Sequence, residues 1–177
     1  MARITMGDRL LLFFREYNLR ETENGSKLRF QTEHSISKEK ESDAIWTKDG
    51  TQNTIRDGEN TISISSLKYE EDNDILSVLD KLEKMFEDNK LVEIWQVNLD
   101  SATTPEGTYS AHYFQGYFTS LEITAADSAV EVSLEYAING RGVKGTDLLT
   151  PEQIGAINAE QYEYQSIKAL GTTTGGV

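Results

Sequence analysis

The sequence contains no cysteine. That single absence removes disulfide frameworks, thiolate nucleophiles, iron–sulfur clusters and cysteine-type zinc sites together. Basic residues are also scarce, 17 Lys and Arg against 30 Asp and Glu, for a formal charge of −13. Such a composition suits tight binding of a nucleic-acid backbone poorly, because that binding works by cations displacing counterions. Long apolar runs are missing as well. The longest, Leu10-Leu11-Leu12-Phe13-Phe14, falls far short of the roughly 20 residues of a membrane span. Arg15 and Glu16 follow it too closely for a signal-peptide core. With 37% hydrophobic residues and 13 glycines in 177, the apolar share lies just under the globular average. The length suits one domain of ordinary size. The expectation is a soluble domain, made in the cytoplasm, that repels nucleic acid on average.

What is present is a period of two. Over residues 130–138, Val130, Val132, Leu134, Tyr136 and Ile138 alternate with Glu131, Ser133, Glu135 and Ala137, the pattern of a half-buried strand. Residues 111–123 are rich in aromatic and β-branched side chains and read as a long strand with a bulge or bend at Gly116. Residues 28–36, 61–67 and 91–99 also read as strands, and 9–17 as a central strand or a short helix. One segment breaks the rhythm. Over 73–89, Ile75, Leu79, Leu82 and Phe86 recur at helical spacing, with Asp72 or Asn73 as cap, Asn89 as stop and Asp80–Lys84 as an i,i+4 pair. This is the one substantial helix expected, its stripe covering a face of the sheet. Thr150-Pro151-Glu152-Gln153 has the form of a second helix start, weakened by Gly155.

Residues 37–60 read as a long polar loop. Asp49-Gly50 and Asp57-Gly58 are turn signals there, and Ile45, Trp46 and Ile55 are its only large apolar side chains. Loops of that length are functional or order on contact. Trp46 among charges reads as a partner-binding anchor, with packing back onto its own domain as the alternative; Trp95 reads as core. Residues 100–107 form a shorter polar turn, the chain is loop-like again from Asn139 through Gly145, and 171–177 should be mobile without a partner.

Chemistry is sparse. His34 and His112, the only histidines, lie on different expected strands without ligand spacing and read as structural. No Gly-x-Ser-x-Gly elbow is present. The run Glu70-Glu71-Asp72-Asn73-Asp74 lacks the glycine of a calcium loop. The glycines from Asn139 to Gly145 match neither the dinucleotide-binding nor the P-loop spacing. The residues therefore point to no catalytic, cofactor or metal site.

Five stretches in order carry a resemblance. They are Phe30-Gln31-Thr32-Glu33-His34-Ser35-Ile36-Ser37, Thr47-Lys48-Asp49-Gly50, Leu91-Val92-Glu93-Ile94-Trp95-Gln96-Val97, Gln115-Gly116-Tyr117-Phe118-Thr119-Ser120-Leu121-Glu122 and Tyr136-Ala137-Ile138-Asn139-Gly140. Together, over residues 4–154, the chain resembles the major tail proteins, or tail tube proteins, of bacteriophages with long non-contractile tails. The resemblance implies a mainly β (α+β) fold, a sandwich or barrel-like domain over 1–154 with one flanking helix and a long inter-strand loop. Residues 155–177 form a C-terminal extension, partly flexible; the chain departs from the family after about Glu152, and Gln161–Val177 matches nothing in it. It implies no enzyme activity and no cofactor. Copies would join sheet edges into hexameric rings, stacked into a virion tube that serves as the conduit for DNA. Tape measure protein would fill the lumen first, and tail terminator and distal tail proteins would cap the ends; DNA passes without specific binding, and no membrane is involved.

Within that scheme the long loop reaches a neighbouring ring, which makes Ile45, Trp46, Lys48 and Asp49 the expected inter-subunit contacts. Glu122, Glu131 and Glu135, on strands that alternate acidic with apolar residues, are the expected acidic lining of the lumen. The competing readings are a non-assembling β binding module, such as a virion decoration or carbohydrate-binding domain, a secretion-system tube, and a hydrolase using two carboxylates.

Overall fold

The structure, a computed structural model, describes residues 4–70, 77–103 and 107–158. Eight strands and two helices follow one another as β1 (Leu10–Glu16), β2 (Ser26–Lys27), β3 (Gln31–Thr47), β4 (Gly50–Leu67), α1 (Val78–Glu87), β5 (Val92–Thr103), β6 (Thr108–Ala125), β7 (Val130–Ile138), β8 (Val143–Leu148) and α2 (Pro151–Asn158). All strands belong to one antiparallel sheet in the order β2-β1-β5-β6-β7-β4-β3, with β8 paired to β6. Gly116 of β6 pairs with both Val92 and Ile138, so β5 holds one edge of β6 while β7 and then β8 share the other.

The shape follows from connectivity. β2 and β3 stand at opposite ends of the sheet, yet Leu28, Arg29 and Phe30 alone join them. A sheet whose two ends are three residues apart has to curl back on itself. Phe30 makes the corner at φ +52°, which is why the strand expected over 28–36 is broken there. Inside the curl the period-two residues meet: Leu12 and Phe14, Ile62 and Ile64, Val92 and Ile94, Phe114, Val132, Leu134 and Tyr136 are all buried. Each such side chain contributes about 1.5–3 kcal/mol by leaving water. The Tyr136 hydroxyl donates to the Val92 carbonyl at 2.7 Å, so its polar end is satisfied.

Helix α1 adds Leu79 and Leu82 to the same core. It begins later than its sequence suggests. Ser77 is the cap, in a reciprocal box with Asp80, and this occupies the carboxylate expected to pair with Lys84; the expected caps Asp72 and Asn73 lie outside the described residues. Asn89 does end it. At φ +50° it lets its own N–H reach the Phe86 carbonyl and that of Lys90 reach Met85, the 5→2 and 6→1 bonds of a Schellman motif. The capping box expected for α2 is present, with Gln153 N–H on Thr150 Oγ1 at 3.2 Å and Thr150 N–H on Gln153 Oε1 at 2.8 Å. The other face of β1 and β5 buries Phe13, Val97 and Leu99 under Leu149, with Trp95 and Ile157 packed alongside.

Several expectations are corrected. Residues 37–60 are not a loop: they form the outer part of the β3–β4 hairpin, paired without interruption from Lys40–Asp57 to Thr47–Gly50. Both faces of that ribbon are polar and exposed, so no burial pattern marks it in the sequence. The turn falls at Lys48-Asp49, with Gly50 opening β4, whereas Asp57-Gly58 lies within β4. The irregularity expected at Gly116 falls instead between Phe118 and Ser120. Gly145, read as loop, lies in β8. Of the expected polar turn over 100–107, residues 100–103 extend β5. The acidic run from residue 71 and the glycine-rich end at 171–177 lie outside the described residues.

Candidate functional site: an arm and an acidic face

The β3–β4 hairpin outruns the sheet, because β7 supports β4 only over Thr61–Leu67. Beyond that the two strands form a free arm with Lys48 and Asp49 at its two-residue tip, where Thr47 Oγ1 donates to the Gly50 carbonyl at 2.6 Å. Trp46 is 83% exposed, Ile55 70% and Ile45 52%. Adjacent residues on a strand point to opposite faces. Ile45 and Trp46 therefore do not form one patch. The register puts Trp46, Ala44 and Ile55 on one face. Ile45 shares the other with Glu41, Asp43 and Arg56, whose guanidinium Nε lies 2.6 Å from the Glu41 carboxylate. Among the described residues, Trp46 packs into neither core. Ile55, noticed in the sequence only as an apolar residue, belongs with it by cross-strand register.

At the arm's root the register slips. Lys38 pairs with Asn60 and Lys40 with Asp57, so Gly58 and Glu59 oppose the single residue Glu39, a β-bulge. Asn60, 7% exposed, spans it: its Oδ1 accepts the Glu39 N–H at 3.3 Å and its Nδ2 donates to the Gly140 carbonyl at 2.7 Å. Asp57 is held on both sides, by Lys40 and by Arg141, whose Nε and Nη2 each lie 2.6 Å from Oδ2. First Lys40 and then Arg141 hold the Asp57 carboxyl below its ordinary range.

The sheet face turned away from the core carries the three nominated glutamates. Glu135 pairs with Ser120 and Ser63, Glu131 with Thr124 and Leu67, and Glu122 with Ser133, so all three are exposed on one surface. Glu33 joins them opposite Ser65. The rest of this face is Ser35, Ser37, Thr61, Ser63, Ser65 and their neighbours, and Ser63 Oγ donates to Glu135 at 2.8 Å. No Lys or Arg occupies these rows on β3, β4, β6 or β7 of the sheet body.

The histidines do converge, as structural groups. Both face inward at the Gln96 level of the curl, where Gln96 pairs with His112 and its side chain meets His34 Nε2 at 2.7 Å. Gln31 holds His34 Nδ1, so the neutral ring donates from one nitrogen and accepts at the other. Burial pushes both imidazoles below their ordinary value. Among the described residues no three His, Asp or Glu side chains are grouped to hold a metal. The buried Glu93 belongs to a packed network, receiving Arg15 Nε at 2.7 Å and the Tyr113 hydroxyl at 2.6 Å.

A family model of phage tail tube proteins matches residues 5–144, which include the arm and the acidic face. The chain belongs to the phage tail tube protein family. That makes it a structural component of the phage tail and not an enzyme. A putative tail protein of Staphylococcus phage phiMR25 is 28% identical over 178 residues, covering 99% of this chain and 89% of the relative. Among solved structures, the SPP1 tail tube superposes with a TM-score of 0.68 over 96% of each chain at 13% identity. The tail of a gene transfer agent, refined with C6 symmetry, gives 0.56 over 80% of this chain and 98% of that one at 15% identity. A chain of the sheath–tube complex of an extracellular contractile injection system gives 0.53, covering 83% of this chain and 95% of that one at 11% identity. These likenesses are of fold, and they agree with the mainly β architecture expected from the sequence.

Proposed function

We propose that copies of this chain close into hexameric rings, and that the rings stack into the tube of a long non-contractile tail through which the genome leaves the virion. The observation that carries this reading is the four-stranded acidic face, because both of its edges are open. β5 pairs with β6 only as far as Gly116, so from Tyr117 to Ala125 that edge of β6 has no strand beside it among the described residues. The outer edge of β3 is open likewise. Open edges invite uncontrolled pairing, and a closed ring is one way to use them safely. Strand directions alternate across β3, β4, β7 and β6, so the two open edges run antiparallel to each other. A neighbour related by rotation would present β3 to β6 in the antiparallel sense that the rest of the sheet uses. Four strands from each of six copies would then form the wall.

The face so formed would turn Glu33, Glu122, Glu131 and Glu135 toward the lumen. Charges beyond about 8 Å are screened at physiological salt, so these wall residues, not the overall charge, would keep phosphates from sticking. Tape measure protein would occupy the same lumen before ejection, with terminator and distal tail proteins at the ends. The arm, about 23 Å from Lys40 to Thr47 at strand rise, would cross to the next ring and set Trp46 and Ile55 against it.

The test is electron microscopy of the concentrated protein, alongside its mass in dilute solution, for wild type and for a variant with Glu122, Glu131 and Glu135 changed to Lys. Hollow sixfold tubes from both, with slower DNA ejection by phage carrying the variant, are expected. Tubes of another symmetry would overturn the hexamer, and unchanged ejection would overturn the lumen assignment.

A further inference from the structure

We propose that Asn60 and Arg141 are positioning residues for the arm, fixing its direction by tying the bulge at its root to the turn between β7 and β8. A two-stranded ribbon is at most marginally ordered by itself, and a bulge is where such a ribbon bends and twists. This arm has its bulge at the point where it leaves the sheet, so without further ties it would swivel there. The ties all run to one place. Asn60 uses its amide oxygen on the Glu39 N–H that the bulge frees and its amide nitrogen on the Gly140 carbonyl. Lys38 Nζ donates to the Arg141 carbonyl at 2.9 Å, and Asp57 takes the Arg141 guanidinium. Both strands of the arm are thus bound to consecutive residues of a single turn.

The turn is itself held. Gly140 and Gly142 flank Arg141 at φ +76° and +71°, conformations that other residues adopt only at a cost. A Cβ added to Gly142 would come within 2.5 Å of the Phe114 ring, and Phe114 is fully buried. The clamp therefore rests on the core and can transmit the core's rigidity to the arm. An ordinary surface ion pair would add little stability; here the guanidinium serves geometry, by joining the arm to the turn beyond the point where the β4–β7 ladder ends.

The clamp does not depend on what the arm touches, but its consequence for assembly rests on the reading of the arm as the contact between rings. The chain has no cysteine, so K48C at the tip and D127C on the body give a unique pair for spin labels. A narrow distance distribution is expected in the otherwise unaltered protein, lost in Arg141→Ala and Asn60→Ala and restored in Arg141→Lys, which keeps a cation within reach of Asp57. Arg141 is exposed, so its variants should fold even if Asn60→Ala does not. Equal distributions in the unaltered protein and in Arg141→Ala would overturn the proposal, as would failure of lysine to rescue. Tube growth is then measured without labels. If Arg141→Ala loosens the arm yet tubes grow at the original rate, the clamp stands and the inter-ring role of the arm falls.

Discussion

A Cβ on Gly116 would lie 1.9 Å from the Ala137 carbonyl oxygen and 3.0 Å from the Tyr136 ring, so two neighbouring strands would have to part to admit it. Gly116→Ala should cost about 3 kcal/mol or more, seen as a lower denaturation midpoint. The sequence singled out this glycine but for another reason, because a lone glycine in a strand signals either a bulge or a close backbone approach, and only coordinates separate the two. Titration is the second consequence at this scale. The fold holds His34 and His112 below their ordinary value, with burial the chief cause and Lys38 and Lys144 adding to it at His112. The unfolded chain binds those protons near 6.5, so their contribution is full above about 6.5 and is lost as pH falls below it. Tyr113 works the other way: burial and Glu93 push it up to about 12. Its contribution is complete below about 10 and lost as pH rises toward 12. The melting temperature should hold level between about pH 7 and pH 10 and fall on either side; a rise from pH 7 to pH 5 would rule out neutral histidines. Asn60 and Arg141 were invisible in the sequence, since a polar residue in a charged stretch carries no periodic signal and its partner lies far along the chain.

Elements were legible where one face is buried. β7 matches its alternation from Val130 to Ile138, and α1 shows its helical stripe. The arm was missed because a ribbon wet on both faces has no reason to alternate hydrophobic with polar. Its register now sharpens the contact prediction. Trp46→Ala and Ile55→Ala, on one face, should each weaken polymerisation while leaving monomer melting unchanged, whereas Ile45→Ala, on the opposite face, should do less; equal losses from all three, measured as the concentration at which tubes appear, would exclude a one-faced contact. Loss of the α1 cap is a stability effect by contrast. Ser77→Ala should lower folding stability by about 1 kcal/mol, because it removes the hydroxyl that accepts the Asp80 N–H and leaves only the backbone N–H of residue 77 on the Asp80 carboxylate.

At the scale of the whole molecule, the strand content and the single acidic face could be foreseen, but the curl could not. It depends on β1 pairing with β5 and β4 with β7, partners that alternation leaves unnamed. The resemblance supplied the class; the edges of β3 and β6, open among the described residues, are what the proposed ring would use. That same order of strands has a consequence for the protein's synthesis. The most apolar run of the chain, Leu10 to Phe14, pairs chiefly with β5, and the contact from Arg15 to Glu93 spans 78 residues. At roughly 5–20 residues per second on the ribosome, β1 must wait several seconds for its partner while the local β3–β4 hairpin is already complete. Nascent chains halted before Val92 should therefore be the sticky ones, held by chaperones or lost to aggregation, and chains released just past β6 should be the first to escape them.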